Sequence, residues 1–409
     1  MARKRQNGRI CPSGPPCYSF PDLGMNNSRA VELESSGATG RVWMKDEGRP
    51  AGGLDAPRRS RWGRRTPYGI RRDPHRDGWR ALSPERSEAT YAALDLGTNN
   101  CRLLIARPTA DGFRVVDAFS RIIRLGEGVA ASRQISEAAI ERAVDALMVC
   151  RDKMNARGVM RARLIATEAC RAAENGEAFR SRVAEQAGLE LEIIDSATEA
   201  RLAATGCTEL FDPSASGVIL FDIGGGSSEL VRLGRSGASC GGPPKPEIVG
   251  WASLPVGVVT LAERYGGHVV SAETYEAMIE EVAALVQDFA TRYPYGSGFH
   301  MLGTSGTVTT IAGVFLRLRR YDRRRVDGCW LSDEEISGVV AELMAMSFDE
   351  RAANPCIGAE RADLVLAGCA ILDAIRRSFP CPRLRVADRG LREGMLVEMM
   401  REDRVWGEA

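Results

Sequence analysis

Histidine is scarce in this chain of 409 residues: there are three, His75, His268 and His300, well separated and forming no cluster. That argues against a histidine-ligated metal centre and against a Ser-His-Asp triad. Long apolar runs are missing too. No stretch approaches the ~20 apolar residues needed to span a bilayer. The opening Met1-Ala2-Arg3-Lys4-Arg5 lacks the apolar core that a secretory signal requires. Zinc-type spacing is absent among the eleven cysteines, several of which (Cys150, Cys170, Cys207, Cys369) lie in apolar segments. Their pattern fits buried free thiols in a reducing compartment, so a cytoplasmic location is expected. No membrane and no DNA partner are expected. Net charge is small, at +1, but unevenly spread. Residues before Glu88 carry an excess of roughly nine positive charges.

Those first 87 residues are rich in Arg, Gly, Pro and Ser, with clusters such as Arg58-Arg59-Ser60-Arg61-Trp62-Gly63-Arg64-Arg65. High charge with little apolar content cannot build a core, so residues 1–87 are expected to be a disordered basic tail outside the fold.

From Tyr91 onward the apolar pattern is dense. Gly217-Val218-Ile219-Leu220-Phe221-Asp222-Ile223-Gly224-Gly225-Gly226-Ser227-Ser228-Glu229-Leu230-Val231 reads as a buried strand, a glycine-rich turn and a returning strand. Adjacent glycines bare the backbone N–H groups and let an anionic oxygen approach closely, the two serines add donors, and Asp222 can hold a cation. A plain glycine hairpin without a ligand fits the same letters. Tyr91-Ala92-Ala93-Leu94-Asp95-Leu96-Gly97-Thr98-Asn99-Asn100 repeats the grammar, and Cys101 to Ala106 leads back out as a strand. Two strand–Asp-x-Gly–strand hairpins suggest a duplicated fold whose turns face each other across a cleft. The order β-β-β-α-β-α-β over the first half predicts an α/β unit with a mixed sheet, including one helix near 170–186 and a strand over 191–195. The same opening recurs after Gly217.

Further candidates follow. Gly303-Thr304-Ser305-Gly306-Thr307 is a strand-to-helix turn of small donors, open either to an anion or to a simple threonine cap. Arg171 follows a buried strand, where it can face a phosphate or solvent. Ser196-Ala197-Thr198-Glu199 has capping-box spacing, which gives Glu199 a structural task in reaching back to the Ser196 N–H. Glu229 is either a cleft carboxylate or an outward polar residue.

Together these segments resemble the exopolyphosphatase and guanosine pentaphosphate phosphohydrolase family, within the actin, sugar-kinase and heat-shock ATPase superfamily. The likeness rests on Asp95-Leu96-Gly97-Thr98-Asn99, Asp222 to Leu230, Leu254-Pro255-Val256-Gly257-Val258-Val259, Gly303 to Thr307, Glu360-Arg361-Ala362-Asp363 and Asp388-Arg389-Gly390-Leu391-Arg392-Glu393-Gly394, in family order from about Tyr91 to Met400. It implies two ribonuclease H-like lobes, each a mixed β-sheet with flanking helices, facing an interdomain cleft. The expected division is 88–196 for lobe I, joined by the C-terminal helix 391–409, and 197–390 for lobe II. It also implies metal-assisted hydrolysis of the terminal phosphate of polyphosphate or pppGpp, with Mg²⁺ or another divalent cation. Homodimerisation stays open.

Residue by residue, the resemblance makes Glu199 the catalytic glutamate, Glu229 a second cleft carboxylate and Arg171 a phosphate-binding arginine. Asp222 and Asp95 would serve the metal. Thr98, Asn99, Asn100, Gly224, Gly225, Gly226, Ser227, Ser228, Gly303, Thr304 and Ser305 would cradle phosphate. Asn100 stands where the family usually has Ser or Thr, and Thr198 replaces the first of its paired glutamates. Longer members carry a further helical domain of the HD type, which is not expected before Ala409. Two rivals remain: a superfamily kinase acting on a small acceptor, and a (p)ppGpp- or polyphosphate-binding sensor without turnover.

Overall fold

The period-2 alternation of the two Asp-bearing strands explains the architecture. In the computed structural model, which describes residues 88–234 and 242–407, β1 (Tyr91–Leu96) sends Ala92, Leu94 and Leu96 to one face and Tyr91 and Ala93 to the other. Both faces are covered, so the strand is apolar throughout except at Asp95. β6 (Gly217–Ile223) does the same, with Ile219, Phe221 and Ile223 on one side and Val218 and Leu220 on the other. The expected basic tail lies outside the described residues.

Each of these strands is the middle of a mixed sheet. The first sheet has the order β3-β2-β1-β4-β5, made with β2 (Asn100–Thr109), β3 (Gly112–Ile122), β4 (Arg161–Ala166) and β5 (Glu192–Ile193). β1 to β3 form an antiparallel meander, and β4 and β5 run parallel to β1. The second sheet has the order β10-β11-β9-β6-β7-β8, made with β7 (Ser228–Leu233), β8 (Ile248–Leu254), β9 (Phe299–Thr304), β10 (Trp330–Ser332) and β11 (Arg383–Ala387). Again the first three strands form a meander and β9 is parallel to the first. The duplication read from the two hairpins is therefore present, with β10 as an added antiparallel edge.

Helices Glu137–Ala156 and Gly176–Ala187 pack on one face of the first sheet through Leu147, Cys150, Phe179 and Val183. Its other face is covered by helix Leu391–Glu402, with Leu391, Met395, Leu396 and Met399 against Tyr91, Ala93 and Leu104. The second sheet buries one face under helices Ala272–Arg292, Ser305–Phe315 and Val365–Ser378. The helix Ser196–Cys207 belongs to both bodies: Leu202 joins the first cluster, and Ala200, Ala204 and Cys207 join the second sheet's other face. It crosses helix Leu391–Glu402 at backbone contact. A Cβ on Gly206 would sit 1.9 Å from the Gly390 carbonyl oxygen, and one on Gly394 would sit 2.0 Å from that of Leu202.

Three local expectations are corrected. The single helix near 170–186 is two, Glu168–Ala172 and Gly176–Ala187. The Asn175 side chain makes two hydrogen bonds to the backbone of Ile135, accepting its N–H at 2.8 Å and donating to its carbonyl at 2.9 Å, which turns the chain out of the helix. The strand over 191–195 shortens to Glu192–Ile193, because Asp195 leaves the sheet to cap the next helix. That cap also removes the capping box. The Asp195 carboxylate accepts the Thr198 N–H at 2.7 Å, so Glu199 lies one position further into the helix than Ser196-based counting places it.

Candidate active site

Both hairpin turns close with the same bond: Gly97 N–H donates to the Asn100 carbonyl (2.9 Å) and Gly224 N–H to that of Ser227 (3.0 Å). The turns lie against each other. A Cβ on Gly225 would come within 2.8 Å of Thr98 Cβ, and one on Gly226 within 2.9 Å of Thr98 Oγ1, so only glycine permits the approach. The carbonyls of Gly224 and Gly225 are taken by the N–H groups of Val258 and Val259 (2.9 and 2.8 Å), which fixes the triple-glycine turn on the next helix start.

Equivalent positions in the two hairpins carry different charges. Asp95 is paired in register with Arg102, whereas Asp222 is paired with Glu229. Directly opposed side chains on one sheet face are close neighbours, and like charges there repel. Burial raises Asp95, with Arg102 and Arg392 pulling the other way. Burial, and then the neighbouring Asp95, pushes Asp222 up to about 6. Burial and Asp222 push Glu229 to about 7, opposed by hydroxyls of Ser227 and Ser253, each donating to its Oε1 at 2.9 Å. Glu199 is raised well above a normal glutamate by burial first and Glu229 second, with Arg171 opposing. Four acidic groups thus lie near one another, each holding its proton more tightly than an ordinary carboxyl does.

Arg171 sits among carboxylates. Its Nε and Nη2 donate to Glu168 Oε2 (3.0 and 2.6 Å), Nη1 to the Ile194 carbonyl (2.7 Å), and Nη1 and Nη2 both to Glu199 Oε2 (3.2 Å). Several serine and threonine hydroxyls are likewise engaged within the protein. Ser227 serves Glu229, Ser228 Oγ donates to the Val256 carbonyl (2.7 Å), and Thr304 Oγ1 to that of Arg389 (2.6 Å). Gly303 lies back in β9, where a Cβ would meet the Phe221 ring at 2.6 Å. Ser305 opens its helix at φ +79, a left-handed conformation costly for a non-glycine residue, and its hydroxyl hydrogen-bonds Asp222.

A small pocket at this junction is lined by Asn99, Asn100, Gly224, Gly225, Ser305, Gly306, Arg102 and Arg361, among others. Asn99 Oδ1 is buried there without a hydrogen-bond partner. Neither Arg102 nor Arg361 was given a role from sequence, although Arg361 lies in a motif quoted for the resemblance, and Arg102 is two residues after Asn100 on one strand and so shares its face. One side of the cleft is bridged by Arg124, which donates to both carboxylate oxygens of Asp363 (3.0 and 3.1 Å) and to the Glu360 carbonyl (3.0 Å). A larger groove of ≈ 800 Å³ lies elsewhere, between β4, β8 and helix Leu391–Glu402. Its arginines Arg161, Arg163 and Arg201 are already paired with Glu402, Glu192 and Glu398.

No group of three or more His, Cys, Asp or Glu among the described residues forms a self-sufficient metal cage. The part-buried carboxylates of Asp95 and Asp222 and the unpartnered Asn99 Oδ1 nevertheless offer oxygen donors only. Such a donor set suits a hard divalent cation that takes its remaining ligands from water and phosphate. No helix among the described residues is long and apolar enough to cross a membrane.

Residues 104–403 match the Ppx/GppA phosphatase family. The chain is 27% identical over 322 residues to a guanosine-5'-triphosphate,3'-diphosphate pyrophosphatase of Photobacterium profundum, covering 76% of this chain and 59% of that protein. It covers 61% of a second protein so named, from Pseudoalteromonas translucida, so it spans about three fifths of the curated relatives it matches. The crystal structure of the Aquifex aeolicus Ppx/GppA family member is 27% identical with a TM-score of 0.64, covering 77% of this chain and 98% of that one. An exopolyphosphatase from Cytophaga hutchinsonii, 23% identical, has a TM-score of 0.70 over 78% of this chain and 100% of its own, a likeness that bears on the fold alone.

Proposed function

Since the chain belongs to the Ppx/GppA phosphatase family, we propose that it hydrolyses the terminal phosphoanhydride of inorganic polyphosphate or of pppGpp. The observation that carries this is the meeting of buried Glu229 and part-buried Glu199, Asp222 and Asp95 with the two glycine hairpins. The terminal phosphate would lie between the Thr98–Asn100 and Gly224–Ser228 turns, whose backbone N–H groups, other than that of Gly224, would cradle its oxygens. Arg102 and Arg361 bring positive charge to the same pocket. Asp222 and Asp95 would hold a divalent cation, Mg²⁺ by preference, which supplies charge neutralisation at the phosphate oxygens.

Glu199 is assigned as general base. Water attacks the terminal phosphorus, its proton passes to Glu199, and the bridging P–O bond breaks to release orthophosphate and the shortened chain or ppGpp. A carboxylate raised above its ordinary value is the stronger base once ionised. Glu229, held by Ser227 and Ser253, keeps Glu199 raised. Phosphoryl transfer through a loose transition state leaves most of the work to positioning and electrostatics. The described cysteines are free thiols, which fits action in a reducing, cytoplasmic compartment.

The test is phosphate release with Mg²⁺ from long polyphosphate, short polyphosphate and pppGpp, with wild type beside Glu199→Gln. Release from one or more, falling by about two to four orders of magnitude in the variant, is the expected result. Silence of wild type on all three would overturn the proposal.

A further inference from the structure

The three nitrogens of Arg171 are all engaged within the protein, by Glu168, Glu199 and the Ile194 carbonyl. Glu168 Oε2 receives two of these bonds, from Nε and from Nη2, the latter the shortest of the set at 2.6 Å. It lies one helical turn before Arg171 in the short helix Glu168–Ala172, at the i,i+3 spacing that brings side chains together. Its stem also packs at the triple-glycine turn, since a Cβ on Gly226 would meet Glu168 Cγ at 3.0 Å. Sequence, by contrast, presents Glu168 only as an acidic residue in a helix's first turn.

We propose that Glu168 is a positioning residue: it anchors the Arg171 guanidinium, which in turn fixes the Glu199 carboxylate, so that Arg171 acts on the reaction through Glu199 rather than as a phosphate ligand. Arginine is suited to the task, because its planar fork transmits orientation from one carboxylate to another. Glu168 also takes a share of the charge that Glu199 would otherwise hold alone. The groups facing Glu199 are Arg171 from its short helix, Glu229 from β7, Asp222 from β6 and Asp95 from β1. Of these only Arg171 is cationic, so how firmly it is shared sets how acidic Glu199 becomes. The inference rests on the proposed role of Glu199, and it refines that role.

The experiment compares wild type with Glu168→Gln, Glu168→Ala and Glu168→Asp. One arm needs no turnover: the Glu199 carboxyl is titrated by carbon NMR in protein labelled at glutamate, assigned through Glu199→Gln. In Glu168→Gln the Glu199 midpoint should move to lower pH, because a competing negative charge is gone and Arg171 leans to the remaining carboxylate. An unmoved midpoint would overturn the inference. A second arm measures inorganic phosphate binding by calorimetry. Unchanged affinity is expected, whereas a clear gain would mean that the released Arg171 binds phosphate directly. In the kinetic arm kcat should fall on the order of 10–100-fold in Glu168→Ala with KM nearly constant, and Glu168→Asp should restore part of it. A raised KM with full kcat would also overturn it. If wild type itself releases no phosphate, the hydrolase reading falls, while the NMR arm still decides the linkage among these three side chains.

Discussion

Asp222 offers the sharpest physical test, because the fold holds it against its own preference. Its pKa stands at about 6 in the folded protein, against 3.8 ordinarily, first through burial and then through Asp95. A carboxyl that binds its proton more tightly when folded stabilises the fold at low pH. That contribution is lost as pH rises from about 4 to about 6. Above that window the folded state carries the full cost of ionising it, about 3 kcal/mol for about two units. Replacing Asp222 with Asn keeps the shape and an acceptor for the Ser305 hydroxyl but removes the charge. The variant should therefore be more stable than wild type by about 3 kcal/mol near pH 8 and by about half of that near pH 5. With an unfolding entropy of about 2 cal/mol/K per residue, the gain near pH 8 is about 4 °C in Tm. Scanning calorimetry of both proteins at the two pH values, in chelator, reads it directly. Adding Mg²⁺ should then raise the wild-type Tm and leave that of Asp222→Asn in place. Equal stabilities at both pH values, or a variant that is weaker near pH 8, would refute the reasoning.

Three further outcomes follow from the geometry. Gly206→Ala puts a methyl 1.9 Å from the Gly390 carbonyl oxygen, so the helix crossing must open; a loss of about 1–3 kcal/mol is expected by denaturant titration. Ser253→Ala removes a donor that holds Glu229 down, so the Glu229 midpoint read by carbon NMR should move to higher pH. Arg124→Ala removes the part-buried pairing with Asp363, which should alter stability by about 1 kcal/mol yet enlarge the radius of gyration measured by solution scattering.

Much of the fold was legible because its signals are local. Apolar strands bounded by glycine announced β1, β2, β6 and β7, and the repeated Asp-x-Gly turn announced the duplication. What sequence missed was mostly decided across space. Nothing in the string places Ser253 on Glu229, or Arg361 beside Asn100, since each pair spans separate elements. The Ser196 capping box failed for a nearer reason: Asp195, one residue earlier, is an equally good cap and won the Thr198 N–H. The Asn175-Gly176 pair was an available warning that the helix after β4 would break. Serines grouped at the turn suggested phosphate donors, yet the hydroxyls of Ser227 and Ser228 turn inward to Glu229 and the Val256 carbonyl. Composition counts donors; it does not show which way they point.

Helix Leu391–Glu402 covers a sheet face begun some three hundred residues earlier, against Tyr91, Ala93 and Leu104. On the ribosome the first sheet therefore emerges, pairs its strands and waits with that face bare until nearly the whole described chain has been made. A nascent chain stalled before residue 391 would present an apolar surface to whatever lies nearby, the situation in which chaperones are recruited or aggregates begin. The second sheet also waits, for helix Val365–Ser378 and for β11 at Arg383–Ala387, but all its strands are made before helix Leu391–Glu402. The half made first is thus the last to be covered.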